Sequence, residues 1–288
     1  MIRDGSGVSS IFGASLLLAI LVVFLSAFLI TAVPAKIMAE ESEYNNRLVS
    51  DLLRFSEQKH FGGSFFLKTD YTSVTADEIS DQIIFTADLT LLPETKTFLK
   101  TEGDFSSFDS DLLSQETFCL SSGALLFSNS YSQIPDSVYS LGASSILQIQ
   151  DDGFSFLKTP DIFFRRGKNG QILLIMSGDF VKLKSSPVFG DRICIRSFTI
   201  QSAEVYDSVS AVAFQYIPSH HSKISFETMR PKAEAFKKWA AQFENELARD
   251  FPELKIENDA ENLILIISSE TPFDIDLTVR EIEFDFSS

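Results

Sequence analysis

The chain has 288 residues, with 40 acidic side chains against 24 basic ones, a formal net charge of −16 and a pI near 4.6. So acidic a surface repels phosphate backbones and anionic headgroups, which excludes nucleic acid as a natural partner. A hydrophobic content of 44%, including 28 phenylalanines, is enough for a packed core even with an N-terminal apolar run set aside. The chain beyond that run fits one domain of roughly 230 residues.

In chain order, the first element is that apolar run. From Ile11 to Val33 no residue is charged. At about 1.5 Å per helical residue the stretch is roughly 34 Å long, enough to cross a hydrocarbon core of about 30 Å. A secretory h-region is shorter, about 7–15 residues, and ends in a small-x-small cleavage site. Ala32 and Ala35 supply that spacing, but only after a run too long for such a region. The run therefore predicts a membrane helix that stays on the protein. Arg3 precedes it and Lys36 follows it. The short N-terminal tail favours an inside N-terminus and places Lys36 to Ser288 outside the cytoplasm.

Beyond Pro34, Tyr44, Leu48, Leu52 and Phe55 recur at spacings of four and three, widened by Val49 and Leu53. This pattern predicts an amphipathic stem helix over 34–60, bent or interrupted near Pro34 and capped at Gly62-Gly63. From Phe61 to about Phe226 the period changes to two, and short strand-like runs alternate with Gly, Pro, Asn and Asp. "DIFFRRGKNGQILLIMSG" reads as a hairpin whose tip carries Asn169-Gly170, a pair suited to positive φ. Arg165, Arg166 and Lys168 cluster there, either as a basic contact or as a solvated hairpin end.

"RPKAEAFKKWAAQFENELARDFP" predicts a helix near 231–250, with Phe236, Trp239, Ala240, Phe243 and Leu247 on one face. Pro231 suits its first turn, and Pro252 lies past its end. "NLILIISS" and "FDIDLTVREIEFDF" read as closing strands, one face buried and the other wet. After Glu281 the alternation shifts by one residue, as it does at a bulge. The predicted class is α+β: a long N-terminal membrane and stem helix, then a mainly antiparallel, sandwich-like β domain over 61–288 with one amphipathic helix near its end.

Little in the chain points to catalysis. The histidines are His60, His220 and His221, and there is no G-x-S-x-G elbow. His220-His221 lacks a third ligand at metal-binding spacing, and adjacent residues on a strand face opposite ways. "FDSD", "QDDG" and "FDID" offer hard oxygen ligands, but none completes a calcium loop. Phosphate-loop, zinc and dinucleotide fingerprints are missing, as is any N-x-S/T sequon. The expectation is a non-enzymatic protein with no catalytic residue, metal or cofactor. Cys119 and Cys194 either pair outside the cell or stay separate buried thiols. A bridge closing their loop of roughly 75 residues would be worth about 4 kcal/mol.

The flank of the apolar run adds a resemblance. "RDGSGVSSIFG", with its basic residue, small residues and Gly7-Val8 ahead of an unbroken hydrophobic helix, resembles the class III signal of archaeal type IV pilin-like proteins. The resemblance implies that a prepilin peptidase cuts between Gly7 and Val8. A leader of residues 1–7 is removed, and a membrane helix over 8–33 remains. "NSYSQIPDSVYSLGASSILQIQDDG", "TPDIFFRRGKNGQILLIMSGD" and the "AFKKWAAQF" helix look like parts of large membrane-anchored members of that group. This implies an archaeal cell-surface subunit whose partners are membrane lipid and other pilin-like subunits, and a mass of 32.1 kDa, large for a repetitive filament, makes it minor rather than major. The alternative expectation is an uncleaved single-pass anchor presenting an adhesin-like or sensor-like domain.

Overall fold

A computed structural model describes residues 6–57, 64–68, 71–77, 82–87, 117–121, 123–142, 144–151, 153–183, 192–217 and 223–287. One helix of 52 residues, α1 (Ser6–Glu57), carries both the apolar run and the amphipathic stem. Of the bend or interruption expected near Pro34, the interruption does not occur, because the helix runs through the proline. Proline lacks an N–H, so the loss falls on one carbonyl, that of Ile30, four residues earlier. The glycines expected to cap the stem, Gly62-Gly63, lie outside the described residues.

The chain divides into two compact units: Met1–Val49 with Tyr131–Pro135, and Ser50–Ser130 with Asp136–Ser288. In the second unit two sheets form. The smaller joins β2 (Thr72–Asp77), β5 (Ala124–Asn129), β6 (Ser137–Gly142), β7 (Ser145–Gln150) and β8 (Gly153–Lys158) in that spatial order, all antiparallel. The larger contains β4 (Thr117–Ser121), β3 (Gln82–Ala87), β11 (Arg192–Ile217), β13 (Ile264–Ser287), β10 (Ile172–Leu183) and β9 (Ile162–Arg166) in sequence across the sheet. β1 (Ser64–Lys68) adds to β11, and β12 (Leu254–Asp259) adds to β13. The mainly antiparallel expectation holds, with one parallel pair among the described strands, β10 with β13.

The two closing strands expected near the C-terminus are a single strand, β13, of 24 residues. The bulge expected after Glu281 is absent: β13 keeps unbroken register there with both β10 and β11. The register shifts lie elsewhere, between Tyr206, Val209 and Ala211 of β11. What changes near Glu281 is the buried face. Phe273, Ile275, Leu277 and Val279 are buried first, then Arg280, Ile282, Phe284 and Phe286. Successive residues of a strand point to opposite faces, so these two series cover opposite sides of the sheet. β10 changes over the same stretch: Ile172, Leu174 and Met176 are buried on the first face, which continues to Phe180, while Asp179 and Val181 become buried on the other. The strand is therefore not wet along one side, because each half buries a different face.

The first face lies under α2 (Lys223–Asp250). This helix begins eight residues before Pro231, so the proline sits in its interior rather than in its first turn. Its expected stripe is buried: Phe236, Trp239, Ala240, Phe243 and Leu247 join one core cluster with Leu174, Phe273, Ile275 and Leu277. Phe164 of β9 packs its ring edge-on to Phe273 at 5.5 Å and lies 5.9 Å from Phe251. The second face meets the last turns of α1, where the Phe55 ring lies 5.7 Å from Phe284. Burying each such side chain stabilises the fold by about 1.5–3 kcal/mol.

Gly178 stands at the switch in β10, and the backbone carbonyl of Leu120 in β4 packs directly on it, in space a Cβ would occupy. The β9–β10 hairpin forms as expected, closed by Gly167 N donating to Gln171 O at 2.8 Å. Of the Asn169-Gly170 pair only Gly170 takes a positive φ, 78°. Together with the Gly170 N to Gly167 O bond of 3.0 Å, this is a type I turn followed by a left-handed residue.

Candidate functional site

Among the described residues, the first unit carries most of the exposed large apolar side chains. Consecutive residues of α1 are open on every side: Phe24 is 73% exposed and Leu25 53%, and the same holds from Phe12 to Ile30. A helix packed on a protein core would hide one stripe. Here the mean hydropathy reaches 3.0, and none of the apolar window is buried, so the helix is long and apolar enough to cross a membrane. Near the C-terminal end of this stretch, Thr31 Oγ1 donates to Ala27 O at 2.7 Å, which satisfies its hydroxyl within the helix. This bond, like the charge-free sequence, suits a medium with no water to offer.

Beyond the charge-free stretch, the same unit buries one carboxylate. Glu41 is 1% exposed. Its two oxygens accept four hydrogen bonds from the segment Tyr131–Pro135. Ser132 N donates to Oε1 at 2.7 Å and Ser132 Oγ to the same oxygen at 2.8 Å. Gln133 N and Ile134 N donate to Oε2 at 2.9 and 3.3 Å. One turn along the helix, Tyr131 Oη donates to Asn45 Oδ1 at 3.1 Å. Burial alone would raise the Glu41 pKa. The donors from Ser132, Gln133 and Ile134 outweigh it and hold the carboxyl below the ordinary glutamate range. Three successive backbone N–H groups converging on one carboxylate form an anion-binding nest, filled here from within the chain.

In the second unit, charge is concentrated at the face switch. Arg280 Nε donates to Asp179 Oδ1 at 2.6 Å, and both side chains are at most 10% exposed. Arg280 Nη2 donates to Ser144 Oγ at 3.0 Å and lies 3.7 Å from Asp161 Oδ2. Lys158 Nζ reaches the same Asp161 oxygen at 3.0 Å and donates to the Ser56 carbonyl near the end of α1 at 3.4 Å. Two cations and two carboxylates balance, and Ser144, held at φ 57°, bridges them to the Ser177 carbonyl. A small cleft lined by Phe55, Leu141, Ser144, Asp179, Arg280 and Phe284 lies over this network. All four charges are paired within the network.

A second cavity lies where α2 meets both sheets. Leu147 and Phe156 of the smaller sheet, Tyr216 of the larger, and Lys232, Phe236 and Trp239 of α2 form much of its wall.

The residues singled out by sequence are placed unevenly. Gly7 and Val8 fall in the first turn of α1, which begins at Ser6. Cys119 lies on β4 and Cys194 on β11, but their side chains are outside the described set. His60, His220 and His221 lie outside the described residues, as does "FDSD". Asp274 and Asp276 of "FDID" are half-buried residues of β13. Among the described residues no three His, Cys, Asp or Glu side chains converge to hold a metal. At the hairpin tip Arg165, Arg166 and Lys168 are all exposed, and Arg166 lies 2.7 Å from Glu253 and over the Phe251 ring at 5.2 Å. Sequence reasoning passed over Glu41, Asp179 and Arg280.

Comparison with known protein families, with curated proteins and with solved structures finds no match. The described geometry defines a protein with one apolar N-terminal helix of membrane-spanning length and a β-rich unit with a second helix.

Proposed function

We propose that the chain is a single-pass, membrane-anchored surface protein that acts by assembly and contact rather than catalysis, built as an archaeal type IV pilin-like subunit. The observation that supports this best is the helical rod from Phe12 to Ile30, apolar and exposed around its whole circumference. Such a surface is stable only in lipid or in a bundle of similar helices. On this reading the N-terminus is cytoplasmic. The Arg280 network ties the two sheets into a sandwich-like domain displayed outside the cell, and its acidity keeps it soluble there. A prepilin peptidase removes residues 1–7, and mature helices beginning at Val8 pack laterally as a minor pilin does.

The second reading, an uncleaved anchor presenting an adhesin-like or sensor-like domain, draws support from the start of α1 at Ser6. That start places the Gly7–Val8 bond in helical backbone, which a peptidase must unwind. Intact-mass and N-terminal peptide analysis of the membrane-extracted protein separates the two. A chain beginning at Val8 supports the pilin-like subunit, and a chain retaining Met1 or Ile2 rejects processing and leaves the tethered surface domain.

A further inference from the structure

β9 (Ile162–Arg166) ends the larger sheet: it pairs with β10 on one side, and no described strand pairs with the other. The direction of its backbone groups follows from the two bonds that bracket the hairpin ladder. Gly167 N donates to Gln171 O at 2.8 Å, and Ser177 N donates to Asp161 O at 2.9 Å. In an antiparallel pair such bonds recur at every second residue, so Phe163 and Arg165 turn their N–H and C=O toward β10. Those of Phe164 and Arg166 point out of the sheet edge, as does the Ile162 carbonyl. The Ile162 N–H is taken up by Pro160 O at 2.9 Å.

The side chains here are not those of a guarded edge, which carries charge or proline in place of exposed apolar groups. Phe163 is 47% exposed, and among the described residues it is the one large exposed apolar side chain outside α1. Arg165, two residues on, lies on the same face and is exposed. Arg166 is already paired with Glu253, whereas Arg165 forms no ion pair among the described residues. Both arginines stand at the C-terminal end of the strand, and Ile162 and Phe163 stand at its start.

That asymmetry makes the strand complementary to itself. An identical strand laid antiparallel about Phe164 brings Phe164 opposite Phe164, Phe163 opposite Arg165 and Ile162 opposite Arg166. The outward backbone groups then meet: Phe164 N–H and C=O with their counterparts, and Arg166 N–H with the Ile162 carbonyl. No two like charges stand opposite each other, and each Arg165 guanidinium comes beside a Phe163 ring, a favourable cation–aromatic pairing. Centring the pair on Arg165 instead would set arginine against arginine.

We propose that β9 is a self-association edge: a second copy of this chain adds its own β9, antiparallel about Phe164, and joins the two larger sheets into one. The inference is independent of how the N-terminal helix is used.

Sedimentation equilibrium of the full chain in a neutral, density-matched detergent tests it. So short an interface predicts weak dimerisation, with a midpoint on the order of 100 μM. Phe163→Lys sets like charge against Arg165 of the second copy at two symmetric places and should raise that midpoint roughly tenfold. Gln242→Lys adds the same charge at an exposed site on α2 and should leave it within about twofold. Register is read by mixing Phe163→Cys chains with Arg165→Cys chains under mild oxidation. These positions form a non-hydrogen-bonded pair, close enough for a disulfide, so the peptide joining them should form in the mixture well above the homotypic links of either variant alone. A parent chain that stays monomeric to about 1 mM would overturn the proposal. So would a dimer that Phe163→Lys leaves intact, the behaviour of association through the apolar helix. If Phe163→Lys fails to fold, the cysteine mixture still decides: cross-linking between 163 and 165 no greater than the homotypic links overturns the pairing.

Discussion

Asp179 and Arg280 are register partners on the parallel strands β10 and β13, and their side chains meet at 2.6 Å at the step where both strands change their buried face. Before this step the sheet packs against α2, and after it against the end of α1. Around this step there is a point where both faces are covered at once, with Phe180 and Val279 buried on one side and Asp179, Arg280 and Val181 on the other. The ion pair occupies that point and brings in Ser144, Asp161 and Lys158, so the crossing is filled with satisfied polar groups.

Removing one partner of this pair leaves the other buried and uncompensated. Arg280→Met is expected to destabilise the second unit by about 3–5 kcal/mol. The double substitution Arg280→Met with Asp179→Leu should recover much of that loss, since an apolar pair of similar volume is often neutral or better. Urea unfolding followed by circular dichroism measures both. A double variant no more stable than the single one would show that the network as a whole, and not the unpaired charge, sets the cost.

Gly178 is required for a different reason. The Leu120 carbonyl occupies the space of a Cβ at this position, and a backbone atom cannot turn aside as a side chain can. Gly178→Ala should cost about 1–3 kcal/mol through forced separation of β4 and β10. Gly167→Ala is the control, because its Cβ would meet nothing nearer than Gln171 O at 3.6 Å. Thermal melts of the two variants should differ clearly, with Gly167→Ala close to the parent.

The Glu41 nest predicts a pH dependence whose sign is set by its depressed pKa. The ionised carboxylate accepts all four bonds, so its stabilisation is complete above the unfolded value of about 4.3. The contribution is lost as the pH falls below that value and through the folded pKa. Hydrogen-exchange protection of the Ser132, Gln133 and Ile134 amides should therefore hold from neutral pH to about 5 and decline below it. Glu41→Gln should lower protection roughly tenfold at pH 7 and flatten the profile, since a neutral amide accepts weaker bonds. Protection that survives in Glu41→Gln would mean that the segment is held by other contacts.

Much of this arrangement can be read from residue spacing, and the exceptions have physical causes. The stripe from Phe236 to Leu247 is legible because a 3.6-residue period against a single core leaves one pattern. The length of the apolar run is legible because an uncharged stretch can be counted and compared with the thickness of a bilayer. Pro231 misled about the start of α2: a proline marks a first turn only when nothing else holds the preceding residues in a helix. Asp179 and Arg280 escaped notice because each looks like the wet-face residue of an alternating strand, and alternation does not reveal that the buried face will switch. The parallel pairing of β10 with β13 was hidden for a related reason, since period two carries no information about the partner strand. Glu41 looked like one acid among several in "AEESE". Its signal was phase, because Glu41 lies seven residues before Leu48 and so continues the stripe through Leu52 and Phe55, all four of them buried.

The proposed function stands or falls with the rod from Phe12 to Ile30, which must remain on the protein and hold it in a bilayer. Alkaline carbonate extraction of membranes bearing the full chain, with intact-mass readout of both fractions, tests this most directly. The protein is expected to stay with the membrane pellet, with a mass that includes the whole apolar run, whether the chain starts at Met1 or at Val8. A carbonate-soluble protein whose mass begins near Lys36 would contradict the membrane anchor, showing that the run is a discarded signal and the β-rich unit a secreted protein.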